Sequence, residues 1–332
     1  MDRLSRLLWE GAKGMKVLIF TEEKMGEGHL QAAKAIKEAF HELSQNQVSV
    51  ILKSGMGLIH PLVERGAARL YLAFIRHFPK IWSILYHRIH TPFLIQNALF
   101  RYRLSRFLQK ERPEVILCTH PACVRPLAQL KREESHPFKL GVIFTDFGFH
   151  PFAVAREADY FFVPHPSVKE ELVQNYQIDP AKVWAFGIPV HPRFEMGQLK
   201  REGRKKEGGK GRPFHLLIMG GALGLGPLQK IVEHFASEKE KFKLTVICGR
   251  NRSLYKELVR RAPEHVTVLG YVSNVAEVME QADSILSKPG GLTTTEALLC
   301  GKPLFMLPPL PGQEETNRRW VEERKLGISI GA

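Results

Sequence analysis

The order of apolar runs along the chain constrains its fold more than any other feature of the sequence. Five runs of strand length come first: MKVLIF, VSVILK, PEVILCTH, KLGVIFTD and ADYFFVP. Continuous apolar runs are typical of parallel strands that are covered on both faces. Helical or loop segments separate these runs, the clearest being the helix-like HLQAAKAIKEAFHEL. The pattern predicts a doubly wound α/β domain.

The same alternation restarts after a basic, glycine-rich stretch, GQLKREGRKKEGGKGRP, which has no periodicity and is typical of a flexible linker. The later runs are FHLLIMGG, KLTVICGR, VTVLGYV, DSILSK and PLFMLP, with helices predicted near PLQKIVEHFASE and from Thr293. We therefore expect two doubly wound domains that face a cleft. The predicted boundaries are an N-terminal extension over 1–14, a first domain over 15–196, a linker over 197–213 and a second domain over 214–332.

Composition excludes several classes of protein. A chain of 332 residues, 44% hydrophobic and 25% charged, suits a globular protein of about two domains. Its four cysteines lack paired CxxC spacing, so neither a disulfide framework nor a structural zinc site is expected. Cys118, His120 and Cys123 could surround a metal, but they follow the apolar VIL and are interpreted as a strand end and its loop. We predict no metal or other cofactor, no exported or membrane-spanning segment, and a cytosolic location.

The charge distribution points to an anionic partner. The formal net charge is +14, which favours nucleic acid, anionic lipid or a phosphorylated substrate. From Arg65 to Lys110 there are nine Lys or Arg residues, nine aromatics and no Asp or Glu. This composition suits an interfacial amphipathic helix or a site for single-stranded nucleic acid, although core helices with a solvated basic face would have it too. We predict an anionic membrane surface and no nucleic acid as the partner. The residues predicted to contact a membrane and its lipid are Arg76, Lys80, Trp82, Tyr86 and Arg88.

A glycine-rich stretch near the C-terminus, SKPGGLTTTEALL, predicts an anion site. Glycines let backbone N–H groups approach a ligand, and the N-terminus of the following helix favours phosphate. A Walker loop is excluded because Lys288 precedes Gly290 and Gly291 instead of following them. The alternative is a plain strand-to-helix turn in which Thr293 or Thr294 caps the helix.

Several spaced motifs together resemble one family. They are GEGH, TDFGFH, FGIPVHPRF, IMGGALG, CGRN, LGYV, KPGGLTTTEAL and PGQEETN. In this order they closely resemble the monogalactosyldiacylglycerol synthase and processive diacylglycerol glucosyltransferase family, and the second half is similar to glycosyltransferase family 28. The resemblance implies a GT-B fold of two Rossmann-like domains and a metal-independent, inverting reaction. Compared with the family, the C-terminal end looks shortened, which puts domain closure in question.

The resemblance also implies a UDP-sugar site in the second domain. The glycine loop and Thr293 would hold the diphosphate, Glu296 would bind the ribose hydroxyls, and LGYV would form the uracil pocket. PGQEETN would bind the sugar hydroxyls. The full set of candidate donor residues is Gly221, Arg250, Asn251, Tyr271, Val272, Gly290, Gly291, Leu292, Thr293, Glu296, Gln313, Glu314 and Asn317.

Two residues are candidates for the catalytic base. His29 in GEGH opens the first helix, where a positive helix end lowers the pKa of an imidazole and keeps it neutral. The loop before His29 holds one residue more than is usual in the family, so the direction in which the His29 ring points could differ. Asp146 in TDFGFH, at another strand end, is the rival base; alternatively it caps a helix or orients His29 or His150.

Three functions follow from these expectations. The first is a peripheral glycosyltransferase on the inner face of the cell membrane that transfers glucose or galactose from a UDP-sugar to diacylglycerol. The second is an N-acetylglucosamine transferase acting on an undecaprenyl-linked peptidoglycan precursor. The third is a non-catalytic sensor of nucleotide sugars. GEGH, TDFGFH and the PGQE string favour the first.

Overall fold

Two compact units make up the molecule. The computed structural model describes residues 12–22, 27–59, 64–66, 69–70, 73–74, 78, 81, 98–133, 137–194, 212–310 and 312–330. One unit comprises Met1–His191 with Pro311–Gln313, and the other comprises Pro192–Leu310 with Glu314–Ala332.

The first unit is built on a parallel sheet of six strands in the order β2-β1-β3-β4-β5-β6. The strands are β1 (Lys16–Thr21), β2 (Ser49–Ser54), β3 (Val115–Cys118), β4 (Lys139–Ile143), β5 (Tyr160–Val163) and β6 (Val183–Ala185). Its helices are α1 (Glu27–Leu43), α2 (Ala98–Glu111), α3 (Val124–Glu133) and α4 (Pro166–Tyr176). Its strands are apolar throughout because the helices that connect parallel strands cover both faces of the sheet.

Strand β1 shows how the two faces are filled. Leu18 and Phe20 enter one buried cluster together with residues of α2 and α3. The alternate residues Val17 and Ile19 enter a second cluster, with Ala33 of α1. Side chains of successive strand residues point to opposite faces, so a run without polar residues must be buried on both sides.

Helix α2 lies within the basic segment from Arg65 to Lys110, for which the sequence left more than one interpretation open. Phe100, Leu104 and Leu108 are buried in the first core, whereas Arg103 and Arg106 are exposed. Helix α2 is therefore a core helix with a solvated basic face, as one of those interpretations predicted. Arg76, Lys80, Trp82, Tyr86 and Arg88 lie outside the described residues.

The second unit repeats the architecture with another parallel sheet, ordered β12-β11-β10-β7-β8-β9. Its strands are β7 (Phe214–Met219), β8 (Phe242–Ile247), β9 (Val266–Leu269), β10 (Ser284–Ser287), β11 (Leu304–Met306) and β12 (Gly327–Ser329). The helices are α5 (Leu228–Phe235), α6 (Arg252–Arg261), α7 (Val275–Gln281), α8 (Gly291–Leu299) and α9 (Gln313–Glu323). Both sheets confirm the predicted doubly wound α/β class.

Three details differ from the expectations. The edge strands β6 and β12 were not predicted, because each has only three residues and is partly exposed. Helix α8 begins at Gly291, before the predicted start at Thr293, and its N-cap is Gly290, so the proposed threonine cap is wrong. The predicted linker, except for Arg212 and Pro213, lies outside the described residues, as does most of the N-terminal extension.

Strand order marks one position in each sheet where a ligand is expected. In the first sheet, the chain leaves β1 for β2 on one side and reaches β3 on the other; in the second sheet, β7 lies between β8 and β10 in the same way. Ligands of such sheets bind beyond the carboxyl ends of the strands at this switch point. Ligand sites are therefore expected at the loops after β1 and β3 and at the loops after β7 and β10.

Candidate functional sites

At the switch point of the first sheet, neutral hydrogen bonds hold the ring of His29. His29 lies in the first turn of α1, and its Nδ1 is 2.9 Å from the carbonyl oxygen of Thr119, just after β3. The Thr145 hydroxyl, after β4, lies 2.6 Å from the same nitrogen, and the Thr119 hydroxyl donates to the His29 carbonyl over 3.0 Å. Three strand ends thus converge on one imidazole.

These contacts determine which ring nitrogen carries the proton. A carbonyl oxygen can only accept, so Nδ1 of His29 carries the proton that is donated to Thr119, and the oxygen of the Thr145 hydroxyl group accepts from the same N–H. The lone pair of the neutral ring is then on Nε2, and Nε2 has no hydrogen-bond partner among the residues that the structure describes. Burial lowers the pKa of His29 to about 4, against a smaller opposing effect of the Thr119 hydrogen bond. At neutral pH, Nε2 can accept a proton from a hydroxyl group.

The rival base, Asp146, is partly buried in the loop after β4. Its neighbour Thr145 is the residue of this loop that contacts the His29 ring, and the other ring partner is Thr119. The Thr145 hydroxyl and the Thr119 carbonyl thus help to orient the His29 ring, and the sequence did not single out either threonine. Their position in the sequence could have indicated this contact: both threonines lie within two residues of the ends of neighbouring strands, at the edge where the GEGH loop of a third strand also ends.

His120 is a second imidazole at this site, and it was assigned no functional role from the sequence. Its ring lies edge-to-face with that of His29, with centroids 4.8 Å apart and planes at 87°. Its Nδ1 accepts from the backbone N–H of Ala122 at 3.2 Å and caps a short 3-10 turn. Burial, and next the proximity of His29, hold the pKa of His120 well below its usual range. No cluster of three metal-ligating side chains occurs among the described residues.

A buried carboxyl cluster lies at the ends of β1 and β2. The Ser54 hydroxyl is 3.1 Å from Glu22 Oε2 and 3.0 Å from Glu64 Oε1, and it accepts from the N–H of Gly57. One hydroxyl has one proton, so one of the two carboxyl groups must itself be protonated and donate to Ser54. Burial raises the pKa of Glu22 to about 8, which identifies it as the better candidate for the protonated group.

In the second unit, glycine loops meet at the equivalent switch point. Gly220 and Gly224 belong to the loop after β7, and Gly249 to the loop after β8. A Cβ at Gly224 would lie 2.1 Å from the carbonyl oxygen of Cys248, and one at Gly249 would lie 2.4 Å from that of Ala222. Both glycines have φ of +57°. The two loops therefore pack backbone to backbone, which only glycine permits.

The helix after β10 begins as an anion site requires. Gly290 is the N-cap of α8, no side chain caps the helix, and a Cβ at Gly290 would meet no described atom within 4 Å. Leu292 is buried and Thr293 is half-buried in the first turn. The start of the helix is thus open to a ligand, and its dipole favours a negative charge there.

Lys288 joins this loop to the start of α9. Its ammonium is 2.8 Å from Glu314 Oε1, and both side chains are nearly buried, at 12% and 11% exposure. Glu314 Oε2 accepts from the N–H of Leu310 over 2.7 Å. This ion pair therefore links Lys288 of the KPGG string to Glu314 of the PGQE string. Gln313 is half-buried at the start of α9, and Asn317 is fully buried one turn later.

The remaining donor candidates lie on neighbouring loops. The guanidinium of Arg250 lies over the ring of Tyr271, 4.9 Å from its centroid. Asn251 caps α6 by accepting from Leu254 N–H and also donates to the Gly224 carbonyl, so it has a structural role. Val272 is half-buried, and Gly221 has φ of +68° with Lys288 nearby.

Glu296, in the second turn of α8, has the chemistry expected of a group that binds a diol. It is half-buried, and burial raises the pKa of its carboxyl group to about 8. No hydrogen bond of its side chain is found within the described part of the chain. A dehydrated carboxyl group without a partner is poised to bind hydroxyl groups.

Comparison with solved structures identifies the class of fold. The crystal structure of MurG from Acinetobacter baumannii matches 95% of this chain and 86% of its own, with a TM-score of 0.59 and 15% sequence identity. The two parallel sheets have the architecture of the GT-B fold.

Sequence comparison then identifies the family. Residues 29–190 match the monogalactosyldiacylglycerol (MGDG) synthase family, and residues 215–325 match the glycosyltransferase family 28 C-terminal domain. An uncharacterized glycosyltransferase, YkoN of Bacillus subtilis, is 30% identical over 93% of this chain and 83% of its own length. A processive diacylglycerol beta-glucosyltransferase of Bacillus pumilus is 30% identical over 95% and 83%. The chain belongs to this family of diacylglycerol glycosyltransferases.

Proposed function

We propose that the protein transfers a hexose, glucose or galactose, from a UDP-sugar to the free hydroxyl group of diacylglycerol, with inversion at the anomeric carbon. The observation that carries this proposal is the state of His29, whose Nδ1 proton is engaged by Thr119 so that Nε2 is the proton acceptor. A base held in this way suits the activation of an uncharged alcohol. Membership of the family supports a sugar donor and diacylglycerol as the acceptor.

The reaction is a single displacement. His29 Nε2 takes the proton of the acceptor hydroxyl, the oxygen forms a bond to the anomeric carbon, and the bond from that carbon to the diphosphate breaks. The electron pair leaves with UDP, whose new charge is stabilised by the glycine loop and the N-terminus of α8. Because the nucleophile enters opposite the leaving group, the configuration inverts.

The donor is held by the loops of the second unit. Gly221 and the backbone from Gly290 to Thr293 bind the diphosphate, and Glu296 binds the ribose diol. Tyr271, with Arg250 stacked on it, and Val272 hold the uracil. Gln313, Glu314 and Asn317 bind the sugar hydroxyls, and Lys288 holds Glu314 in place.

The protein acts at the inner face of the cell membrane as a peripheral protein. No helix among the described residues is both long and apolar enough to cross a bilayer. The basic, aromatic composition from Arg65 to Lys110 supports electrostatic attraction to anionic lipid. Vesicle sedimentation should increase with anionic lipid, weaken in high salt and fall when Arg76, Lys80 and Arg88 are changed to Glu. Equal sedimentation of that variant and the parent would contradict this part of the proposal.

One assay tests the transfer reaction. Purified protein is incubated with diacylglycerol vesicles and labelled UDP-glucose or UDP-galactose, and the lipid fraction is separated. We expect a labelled glycolipid whose proton NMR coupling shows the inverted anomer. Labelling of an undecaprenyl-linked acceptor by UDP-N-acetylglucosamine instead would favour the second function. UDP binding without transfer to any lipid would favour the sensor.

A further inference from the structure

Three histidines of the first unit have the same local role. His120, His150 and His165 each precede a proline, and each accepts, through Nδ1, the N–H of the residue two positions later. A nitrogen that accepts a hydrogen bond carries no proton. The neutral ring of His120 therefore keeps its proton on Nε2, which makes that atom a donor.

His29 has the opposite arrangement. Its Nδ1 donates to Thr119, so its Nε2 is an acceptor. Since the two rings are in edge-to-face contact, with centroids 4.8 Å apart, the acceptor nitrogen and the donor nitrogen belong to adjacent rings of one site. The pKa of each ring is lowered, mainly by burial, so both are neutral at physiological pH and the polarity of the pair is maintained.

The donor of His120 has no protein partner among the described residues. Within the described part of the chain, the His120 ring contacts the backbone N–H of Ala122 and the His29 ring. Its Nε2 is not among the fully buried polar atoms that lack a hydrogen-bond partner there. The ring is half-buried. An N–H group that has no protein acceptor and is not fully buried is available to a ligand that lies against His29.

We propose that His120 is a second acceptor-binding residue, whose Nε2–H donates to an oxygen atom adjacent to the hydroxyl group that His29 deprotonates. This inference rests on the proposed function, in which the acceptor is diacylglycerol. There, the carbon next to the reactive hydroxymethyl group carries an ester, whose carbonyl oxygen is a strong acceptor. The pair of histidines thus selects alcohols that have an ester beside the hydroxyl group.

The test compares two lipids and two substitutions. Diacylglycerol has an ester carbonyl where dialkylglycerol has an ether oxygen, which accepts more weakly. His120→Phe keeps an aromatic ring against His29 but lacks the donor. His120→Asn keeps an oxygen that can cap Ala122, and its amide N–H groups end short of the position of Nε2 because the side chain is shorter than an imidazole. For the parent protein, KM for dialkylglycerol should exceed that for diacylglycerol by about five- to tenfold, the value of one hydrogen bond.

In both variants this preference should disappear. KM for diacylglycerol should rise by about five- to tenfold, while KM for the UDP-sugar and kcat stay near parental values, since the bond is present in ground and transition states alike. His165→Phe removes an equivalent helix cap at another strand end and serves as the control for cap loss. A variant that keeps the parental preference between the two lipids would overturn the proposal.

A second measurement does not depend on activity. Nitrogen-15 NMR of the histidines should show His29 protonated on Nδ1 and His120 on Nε2, and dioctanoylglycerol should shift the His120 Nε2–H signal more than its dialkyl analogue does. Protonation of His120 on Nδ1, or equal shifts with both lipids, would overturn the inference. Should the parent transfer no sugar while the NMR result holds, the proposed reaction fails and the lipid-binding role of His120 stands.

Discussion

The two units have the same architecture, but their switch points contain different chemistry. In the first unit, one carbonyl and one hydroxyl group from two loops hold a histidine by neutral hydrogen bonds. In the second unit, glycine backbones pack against each other and a buried Lys288–Glu314 pair joins two loops. Strand order therefore decides where a ligand binds, whereas the residues after the strands decide whether that place accepts a proton or binds an anion.

Burial acts in opposite directions on the titrating groups of the two sites. It lowers the pKa of His29 to about 4 and raises that of Glu296 to about 8, because in each case the charged form is disfavoured. Both groups are therefore uncharged at neutral pH before a substrate binds. Each of the following experiments perturbs one side of this comparison.

The largest effect is expected from the loss of the proton acceptor. His29→Ala should lower kcat by roughly 10²–10⁴-fold and leave UDP affinity unchanged, because the histidine belongs to the first unit and the proposed UDP site to the second. Labelled-sugar transfer and calorimetry with UDP measure the two quantities. In the parent, kcat/KM for diacylglycerol, measured with the UDP-sugar saturating at each pH, should hold from neutral pH down to about pH 4, the lowered pKa of the base. Near-parental turnover of the variant would transfer the role of base to Asp146.

A pair of glycine substitutions separates folding from binding in the second unit. Gly224→Ala should lower the free energy of unfolding by about 2–4 kcal/mol, because its Cβ would overlap the Cys248 carbonyl at a positive φ. Gly290→Ala is the matched control, since its φ is −70° and the space for its Cβ is empty. It should be as stable as the parent but weaken UDP binding. Chemical denaturation and calorimetry measure both, and parental UDP affinity of Gly290→Ala would refute the anion site at α8.

The carboxyl group of the donor site should link UDP binding to pH. Glu296→Ala should weaken UDP binding by about 1–3 kcal/mol, the cost of unpaired ribose hydroxyls. The carboxylate is the form that accepts from both hydroxyls, and the pKa in the free protein is about 8, so UDP affinity should rise as pH increases toward 8. Calorimetry at pH 7 in buffers of different ionisation enthalpy should detect release of a proton. Glu296→Gln should show no such release, and its absence in the parent would be evidence against this role.

The smallest effect concerns stability at the buried carboxyl cluster of the first unit. The pKa of Glu22 is raised from 4.5 to about 8, so its contribution to stability is complete below pH 4.5 and is lost as pH rises to about 8. Glu22→Gln imitates the protonated acid. It should match the parent at pH 4.5 and exceed its free energy of unfolding by about 1–3 kcal/mol at pH 9. Chemical denaturation at both pH values measures the free energy of unfolding, and Glu42→Gln, at an exposed position, is the control. If the free energy of unfolding changed equally with pH in the parent and in Glu22→Gln, Glu22 would not be the protonated group.

Long apolar runs were sufficient to predict most of the two sheets. Every predicted run became a strand, because a segment without polar side chains must be buried on both faces, as Val17 and Leu18 are. The three-residue edge strands β6 and β12 were missed, since sheet pairing rather than hydrophobicity forms them. The start of α8 was misplaced for a related reason: Gly290 and Gly291 have weak helix propensity, and the strand before them positions the first turn.

The sequence by itself determined the class of fold, the glycine loops and the candidates His29 and Glu296, because apolar periodicity and short motifs are local properties. Only the tertiary structure decided which residues surround them. Thr119 and Thr145 lie 90 and 116 positions from His29, and Glu314 lies 26 from Lys288. Parallel strands bring such distant loops to one edge of a sheet. The protonated nitrogen of each histidine depends on those partners, so the acceptor at His29 and the donor at His120 could be assigned only once the chain was folded.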